Sequence, residues 1–432
     1  MYIESLFSIP DISSQLDSEA RKFKKIDASY TKLMQRVSEN RHVLACCYSD
    51  QQAKNLLPHI LQKLEHCETV LVKVLEGKRS TFPRLYFLSD NRLLRILSEG
   101  CTPDSLQGTV NCIFEVVHSI SFEEDGEDLL KSVHTRKGKT RDTMSFGEPV
   151  ALQREIESFL VDLWTEMGRS IRSLVQDIRS ERHSSPLSRL ILMFPIQVCL
   201  LDMQIQWTKD CKDALTRSKT EKNIMMYTSK RDATLLADLL SLLAGNNFAE
   251  ISSKRCCLEL LILVQIYQRD RFDFLVQNKA TSPTDFDFQK LVKFTWKDES
   301  QDISVSIAHT EIDYGFEYLG IQDRIVATAE TDRCFVALAC AIGAGIGSSV
   351  TGPPGSGKTE LVKDLGRTAG RFVFPFYGTE LVDPAVIDKL LKGIASCGAW
   401  ACLEQFACLE GHVLSICAQH ITTLFAAIRE RR

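Results

Sequence analysis

An eight-residue stretch, GPPGSGKT at residues 352–359, constrains the fold of this chain more than any other part of it. It fits the pattern G-x-x-x-x-G-K-[S/T] at every defined position. Glycines in such a loop let backbone N–H groups turn toward phosphate oxygens, and the helix that follows points its positive end at the same anion. The pattern therefore predicts a strand, a loop and a helix in a parallel α/β unit that binds a nucleotide.

The residues expected to contact the nucleotide are consecutive in the chain. They are Gly352, Pro353, Pro354, Gly355, Ser356, Gly357, Lys358, Thr359 and Glu360. Lys358 is expected to reach the β- and γ-phosphates of ATP, and the Thr359 hydroxyl to ligate Mg²⁺. The alternative is a chance glycine turn, but the predicted strand before the loop and amphipathic helix after it favour nucleotide binding.

After about residue 310 the chain alternates between short apolar runs, helical stretches and glycine turns. Strands are predicted at residues 347–352, 371–376 and 399–405. A helix is predicted between the first two, because Leu361, Val362, Leu365 and Ala369 form one stripe, and Gly370 is expected to end it. This order is typical of a parallel α/β module.

The third predicted strand ends in Glu404, which is followed by Gln405. A carboxylate at a strand end can complete the site by holding the Mg²⁺ shell through water, so Glu404 is the second predicted metal residue beside Thr359. Gln405 stands where a carboxylate would orient and deprotonate the attacking water. An amide can hydrogen-bond water but cannot accept its proton. The sequence thus predicts an ATP site with weak or absent hydrolysis.

Residues 15–285 show helical periodicity instead, with apolar residues spaced three and four apart over long stretches. One stripe lies within residues 57–75 and another within residues 152–178, while residues 257–276 are apolar on more than one face and predict a buried helix. Polar breaks are expected near Pro83, at residues 135–149 and before Pro186. The fold class expected is a mostly α-helical, elongated domain over residues 1–310, followed by an incomplete α/β P-loop module over residues 311–432.

Composition excludes several classes of function. The chain has 432 residues and a net charge of −4, so no excess of basic residues favours nucleic acid or an anionic membrane. Its longest weakly polar run, residues 334–350, is glycine-rich and short for a membrane span. The 15 cysteines, irregularly spaced and odd in number, are expected to be reduced thiols of an intracellular protein.

Two local clusters have an alternative interpretation. The basic residues Arg136, Lys137, Lys139 and Arg141 could contact nucleic acid, but without interleaved aromatic residues a solvated loop is the better interpretation. The second cluster could suggest zinc, but its spacing fits no usual structural site, and core cysteines are favoured. It comprises Cys402, Cys408, His412 and Cys417.

Several long motifs resemble the dynein heavy chain family. Residues 352–360 read GPPGSGKTE, residues 396–408 SCGAWACLEQFAC and residues 412–420 HVLSICAQH. The family patterns are close to G-P-A-G-T-G-K-T-E, S-G-A-W-x-C-F-D-E-F-N-R and E-V-L-S-V-x-A-Q-Q.

The resemblance extends to the segment before the phosphate loop and to the helical half. In the approach segment, DYGFEYLG precedes RIVATAETDRCF at residues 324–335, which in such modules passes near the adenine. Residues 78–100, KRSTFPRLYFLSDNRLLRILSEG, are similar to the family's linker. Residues 286–299, FDFQKLVKFTWKDE, are similar to its tryptophan segment.

This resemblance implies a linker over residues 1–310 and the start of the first AAA+ module over residues 311–432, with Walker A at 352–359 and an altered Walker B at 400–405. It implies an ATP-dependent microtubule motor with ATP and Mg²⁺ as cofactors. Microtubules and dynein intermediate and light intermediate chains are the implied partners. The cytoplasm and cytoskeleton, or a ciliary or flagellar axoneme, are the implied locations. The family's stalk has no counterpart in this sequence, so a fragment or short isoform is expected.

The departures from the family pattern lie on the hydrolytic side. The family's Asp-Glu pair is Glu404 and Gln405 here, and the Asn and Arg that follow are Ala407 and Cys408. On the adenine side, Ala329 and Glu330 replace Pro and Leu. Two functions therefore stay open, a motor-class ATPase module and a non-hydrolysing regulatory or assembly protein that docks dynein chains with ATP as a structural ligand.

Overall fold

The structure is a computed structural model, and it describes residues 10–39, 42, 51–122, 129–137, 140–153, 155–182, 184–221, 223–244, 254–322 and 324–430. The chain divides into two compact units. The first comprises Met1–Thr109 and Gln153–Val161, and the second comprises Val110–Leu152 and Asp162–Arg432.

Helices dominate the described residues. In chain order they are α1 (Pro10–Glu39), α2 (Gln51–Thr81), α3 (Asp90–Glu99), α4 (Pro103–Ile113), α5 (Ile156–Glu181), α6 (Leu187–Met193), α7 (Ile196–Arg217), α8 (Ile224–Ala244), α9 (Arg255–Gln277), α10 (Phe286–Gln289), α11 (Ala329–Ala344), α12 (Lys358–Thr368), α13 (Pro384–Cys397) and α14 (Gly411–Glu430). Short 3₁₀ helices cover Pro83–Phe87 and Phe406–Cys408.

The strands of the described residues form three small sheets. They are β1 (Ser119–Phe122), β2 (Leu129–Lys137), β3 (Thr140–Ala151), β4 (Lys293–Lys297), β5 (Asp302–Ile307), β6 (Thr310–Asp313), β7 (Val373–Tyr377) and β8 (Trp400–Glu404). The orders are β1-β2-β3 and β4-β5-β6, both antiparallel, and β7-β8, which is parallel.

In the first unit, α2 ends at Thr81, and Pro83 opens a 3₁₀ turn because proline cannot continue the helical hydrogen bonds. Arg79 is buried at the end of α2 and donates hydrogen bonds to the carbonyl oxygens of Leu85 and Leu88. Its guanidinium also pairs with Asp90 at the start of α3. One arginine thus fixes the turn between two helices, and the predicted break near Pro83 is confirmed.

The predicted break at residues 135–149 does separate two helices, α4 and α5, but its described residues, 135–137 and 140–149, form the strands β2 and β3 and not a loop. Several polar residues of these strands, His134, Thr135 and Asp142 among them, are buried and hydrogen-bonded. His134 Nδ1 lies 3.0 Å from the Thr143 hydroxyl. Asp142 is fully buried, and its carboxylate accepts a 3.1 Å hydrogen bond from the Ile196 N–H and pairs with Lys254 at 2.9 Å. Buried polar residues with distant partners therefore look like a solvated loop in the sequence.

The helical predictions over residues 152–178 and 257–276 are confirmed by α5 and α9, although Leu152 itself precedes α5. The sequence did not predict the sheet β4-β5-β6. It lies on α7, where the backbone N–H of Phe294 donates to the Thr208 hydroxyl at 3.0 Å. The adjoining core contains Trp207, Cys211, Leu215, Phe272, Leu275, Phe288 and Leu291.

In the last part of the chain, β7 and β8 confirm two of the three predicted strands. The predicted strand at residues 347–352 is wrong, because these residues have no ladder partner in the described part of the chain. A strand needs a neighbour for its backbone hydrogen bonds, and β7 pairs with β8 alone among the described strands. The parallel sheet is thus present as one strand pair.

Helix α14 is, among the described helices, the one long and apolar enough to cross a membrane by length and composition alone. One such helix is weak support for a membrane protein. Its first half packs against α13 through Val413 and Cys417, which share a core with Ile387, Leu391 and Leu409.

Candidate nucleotide-binding site

The phosphate-loop motif forms an exposed loop that leads directly into α12. Gly355 and Gly357 have φ values of 77° and 79°, in the left-handed region that favours glycine. A β-carbon added at either position would meet no atom within 4 Å, so conformation rather than crowding requires glycine. Gly357 is the residue before the first turn of α12, and the helix begins at Lys358. The loop therefore ends on an open helix N-terminus.

The side chain of Lys358 folds back over this loop. Its Nζ donates hydrogen bonds to the carbonyl oxygens of Gly352 at 2.9 Å and Pro353 at 2.6 Å. The Ser356 hydroxyl donates to the same Pro353 oxygen at 2.9 Å. The ammonium group is thus held at the loop by neutral acceptors, for which phosphate oxygens are a stronger substitute because they carry charge.

Helix α12 is fixed behind the loop by packing on both sides. Its Leu361 and Leu365 belong to a core with Ile307 of β5 and with Phe335 and Leu338 of α11. On the other side, a β-carbon on Gly366 would lie 2.0 Å from Val373 Cγ2, so α12 approaches β7 closely. This packing sets the direction in which the helix N-terminus points.

An ion pair anchors the far end of α12. The carboxylate of Asp364 is buried and pairs with Arg324, whose guanidinium also donates to the Thr368 hydroxyl at 2.7 Å. Arg324 opens the segment that leads to α11, where Thr328 and Thr331 form a capping box. The segment that resembles the adenine-side strand of the family is thereby tied to α12.

The second half of the predicted site lies at the end of β8. Glu404 is the last residue of β8 and pairs in register with Tyr377 of β7. The Glu404 carbonyl oxygen accepts a 2.8 Å hydrogen bond from the N–H of Gly378. Its side-chain Oε1 is buried and has no hydrogen-bond partner among the residues that the structure describes. A buried carboxylate oxygen of this kind is suited to a metal ion, a metal-bound water or a donor from a ligand.

Lys363 lies on α12 and interacts with acidic groups of both parts of the site, the start of α12 and the end of β8. Its Nζ donates to Glu360 at 3.1 Å. Burial alone would lower the pKa of Lys363, but the hydrogen bond to Glu360 and the nearby acidic groups, Glu404 among them, raise it above its ordinary value. Lys363 is therefore bonded to the first turn of α12 and interacts electrostatically with the carboxylate at the end of β8.

Gln405 directly follows β8 and is exposed. Its φ of 49° places it in the left-handed region, which is uncommon for a residue other than glycine. The chain turns there into the 3₁₀ helix that ends at Cys408. The side chain at this position is thus an amide, at a strand end next to a carboxylate.

The structure places all nine residues predicted to contact the nucleotide, 352–360, in one loop and the first turn of α12. Glu404 and Gln405 lie at the end of the adjoining strand, β8. Sequence reasoning missed Gly378 and Lys363. The glycine directly after β7 and the lysine one turn after Thr359 were the signals that could have found them. The cysteine and histidine cluster is dispersed over β8, the second 3₁₀ helix and α14. The described residues contain no group of three or more His, Cys, Asp or Glu side chains that could hold a metal.

This arrangement defines the class of the protein. A glycine loop with positive φ angles, a lysine at a helix N-terminus and a parallel strand pair that ends in a carboxylate are the features of a P-loop nucleotide-binding module.

Comparisons with known proteins give the family. Residues 1–178 match the model of the dynein heavy chain N-terminal region 2, and residues 314–432 match that of the hydrolytic ATP binding site of the dynein motor region. The chain belongs to the dynein heavy chain family.

Individual relatives agree with this assignment. The chain is 34% identical over 435 residues to dynein axonemal heavy chain 5 of Rattus norvegicus and to dynein axonemal heavy chain 8 of Homo sapiens. It is 32% identical over 432 residues to the dynein gamma chain, flagellar outer arm, of Chlamydomonas reinhardtii. Each alignment covers 100% of this chain but only 12%, 10% and 10% of these relatives in turn. The predicted resemblance is confirmed, and the chain spans about a tenth of the length of these relatives.

Proposed function

We propose that this chain is an ATP-holding segment of a dynein heavy chain that serves microtubule-based movement, and that it hydrolyses ATP slowly or not at all. The observation that carries the proposal is the pairing of a complete phosphate loop around Lys358 with an amide, Gln405, at the end of β8. The family match of residues 314–432 supports ATP as the ligand. Motor activity and binding to the microtubule are proposed for the protein as a whole.

The residues of the phosphate loop, together with Glu404, fit a triphosphate with its magnesium ion. The space beside Gly355 and Gly357 is open, since an added β-carbon at either would meet no described atom within 4 Å, and Lys358 supplies the charge. Thr359 offers a hydroxyl at the first turn of α12, and Glu404 offers a carboxylate with a buried oxygen that no described residue bonds. These hard oxygen ligands suit Mg²⁺, which when bound would neutralise charge on the terminal phosphates.

Weak hydrolysis follows from the chemistry of Gln405. Its amide can orient a water molecule by hydrogen bonding, but it has no basic site that accepts a proton at neutral pH. Glu404, the nearest carboxylate in sequence, is expected to serve the metal and carries one methylene more than the aspartate of the family pattern. The site would therefore keep its affinity for ATP and lose its rate of turnover.

A second function follows from the same residue. If ATP is held without turnover, it can act as a structural ligand, and the chain can serve as a regulatory or assembly protein that docks other dynein chains. Gln405 is the observation that favours this function. Steady-state turnover that stays at the blank level under all conditions would separate it from a slow motor module.

The names of the relatives suggest the setting. Two are described as axonemal and one as belonging to the flagellar outer arm. We therefore place this chain in a dynein complex of the ciliary or flagellar axoneme, within the cytoskeleton. Microtubules and dynein intermediate and light intermediate chains are the proposed partners, as the family resemblance implies.

Binding can be tested with a fluorescent ATP analogue titrated into the purified chain with Mg²⁺. We expect saturable binding that Lys358→Ala weakens at least tenfold, because the charge over the loop is lost. Thr359→Ala should weaken binding only when Mg²⁺ is present, and EDTA should reduce wild-type affinity to the level of this variant.

The matched control is Lys389→Ala, a lysine on α13 outside the predicted site, which should bind as the wild type does. Affinity that is equal in the wild type and in Lys358→Ala would contradict a phosphate site at residues 352–359. Affinity that does not respond to Mg²⁺ in any variant would contradict the role given to Thr359 and Glu404.

A further inference from the structure

Helices α1 and α2 of the first unit pack against each other as an antiparallel hairpin. Burial and the nearby charge of Glu19 raise the pKa of the Cys67 thiol, so the middle of α2 lies beside the first half of α1. A parallel pair with this contact would separate the end of α1 from the start of α2 by about 50 Å, which residues 40–50 cannot span. Ile26 of α1 and Ile60 of α2, one heptad before Cys67, are buried along the seam between the helices.

Both helices carry large apolar side chains that remain exposed beside this seam. They are Tyr30, Met34 and Val37 on α1 and Leu57, Leu61 and Leu64 on α2, and each is between 37% and 58% exposed. Spacings of three and four residues place each set on one stripe of its helix. Apolar stripes of this kind normally pack against another element, so each helix has more apolar surface than its partner in the hairpin covers.

The two stripes lie on the same side of the hairpin. At 3.6 residues per turn, Tyr30 and Met34 are turned about 40° and 80° from Ile26, in the direction in which the helix winds. Leu64 is turned about 40° from Ile60 in the same direction. Because the two helices are antiparallel, rotation in the same direction from the seam brings both stripes to one face. The six exposed side chains therefore border one apolar groove, called here the hairpin groove.

Acidic side chains stand beside the hairpin groove. Asp27 follows its edge on α1, Glu65 and Glu68 follow its edge on α2, and all three are exposed. No residue that the structure describes forms an ion pair with any of them. Lys24 is the basic residue on the same side of α1, so the described charges along the hairpin groove sum to a negative value. An approaching cation would therefore be attracted to its rim.

We propose that the hairpin groove binds an amphipathic α-helix of a partner protein, whose apolar stripe is flanked by lysine or arginine. Apolar residues of such a helix, spaced three and four apart, would enter the hairpin groove as a third helix packed on α1 and α2. Its cations would face the carboxylates of Asp27, Glu65 and Glu68, which favours this partner over others. A second copy of this chain would instead bring a like-charged rim to the same face.

The test uses the full chain and a fluorescent peptide of two LKKLLKL heptads, which forms a basic amphipathic helix. Fluorescence anisotropy should show saturable binding that weakens at least fivefold when NaCl is raised from about 0.05 M to about 0.5 M, because salt screens exposed charges. Circular dichroism should show that the peptide gains helix on mixing. A scrambled peptide without the apolar stripe, and a peptide with Glu in place of every Lys, should not bind.

Variants of the chain locate the peptide. Leu61→Lys places a charge inside the hairpin groove, at a position that is 58% exposed, and should weaken binding at least tenfold. Met226→Lys is the matched control, because Met226 is 61% exposed on α8, and it should bind as the wild type does. The double variant Glu65→Gln with Glu68→Gln should bind more weakly and respond less to salt. Asp238→Asn, outside the hairpin groove, should do neither.

Three results would overturn the proposal. One is the absence of saturable binding to wild-type chain that unfolds cooperatively. A second is equal affinity of Leu61→Lys and Met226→Lys, or of the basic and acidic peptides, since either places the peptide elsewhere or removes the role of charge. The third is a wild-type chain that sediments as a dimer and becomes a monomer in Leu61→Lys, because a second copy would then occupy the hairpin groove.

Discussion

A β-carbon added at Gly378 would lie 2.9 Å from the carbonyl oxygen of Gln405. The backbone N–H of Gly378 also holds the carbonyl oxygen of Glu404 at 2.8 Å. The residue that follows β7 therefore fixes the position of both side chains proposed to face the terminal phosphate. A glycine is required there by close approach of two backbones, at the point where the sheet meets the candidate site.

We expect Gly378→Ala to lower the free energy of unfolding by about 1–3 kcal/mol, because the end of β8 must move to admit the methyl group. Urea denaturation followed by circular dichroism would measure the change. Gly411→Ala is the control, because an added β-carbon at Gly411 meets no atom within 4 Å. Equal stability of the two variants would show that the two strand ends are not in contact.

A second prediction concerns the ion pair at the end of α12. In Arg324→Ala the Asp364 carboxylate, which is 3% exposed, would remain buried without its partner. Removal of one member of a buried pair costs about 3–5 kcal/mol. The exposed pair between Arg255 and Glu259 is the comparison, and Arg255→Ala should change stability by about 0.5 kcal/mol or less. Thermal and urea unfolding of both variants would give the difference, and similar losses would contradict a buried role for Arg324.

A third prediction concerns pH. Burial raises the pKa of Asp232 from 3.8 to about 6, against the opposing charge of Arg231. Between about pH 4 and pH 6 the folded chain therefore retains a proton that the unfolded chain has lost. The contribution of Asp232 to stability falls as pH rises through this window and stays low above it.

The variant Asp232→Asn removes this titration. We expect it to be more stable than the wild type at pH 7.5 by about 1–3 kcal/mol, and the advantage should shrink at pH 4.5. Asp238→Asn, at an exposed position of the same helix, is the control and should show no such pH dependence. A wild-type advantage that grows with rising pH would contradict the assigned sign.

Features of the site that depend on residues close together in the sequence could be predicted from it. Gly370 ends α12 with a φ of 62°, as its position after the last apolar residue indicates. Asp383 begins α13 and accepts a 3.3 Å hydrogen bond from the N–H of Ala385. The phosphate loop and the strand that ends in Glu404 were predicted for the same reason, since each is a short consecutive pattern.

Features set by distant residues could not be predicted. The strands β2 and β3 contain polar residues that are buried only because partners far along the chain satisfy them. Asp142, for example, pairs with Lys254 and receives the N–H of Ile196. The segment at residues 347–352 contains the β-branched pair Val350 and Thr351, but strand formation depends on a neighbouring strand, which the described residues do not provide. Local periodicity in the sequence therefore predicts neither the partners of Asp142 nor the lack of a neighbouring strand for residues 347–352.

The electrostatic interaction of Lys363 with Glu404 is a further feature that depends on distant residues. Lys363 is one turn beyond Thr359, and it meets Glu360 on its own helix, which helical spacing can predict. Its proximity to Glu404 depends on how α12 packs on β8, and hence on the close approach of Gly366 to Val373. Packing between a helix and a strand of this kind can be recognised only once the fold is known.

The central claim is that the chain holds ATP without turning it over, and a single-turnover experiment tests it most directly. Radiolabelled ATP would be mixed with Mg²⁺ and an excess of chain over nucleotide. The fraction converted to ADP would be followed beside Lys358→Ala as the blank and Gln405→Glu as the variant that restores a carboxylate. We predict that the wild type retains bound ATP, with conversion no faster than the blank, and that Gln405→Glu converts it at least tenfold faster. Conversion by the wild type well above the blank, unchanged in Gln405→Glu, would contradict the claim.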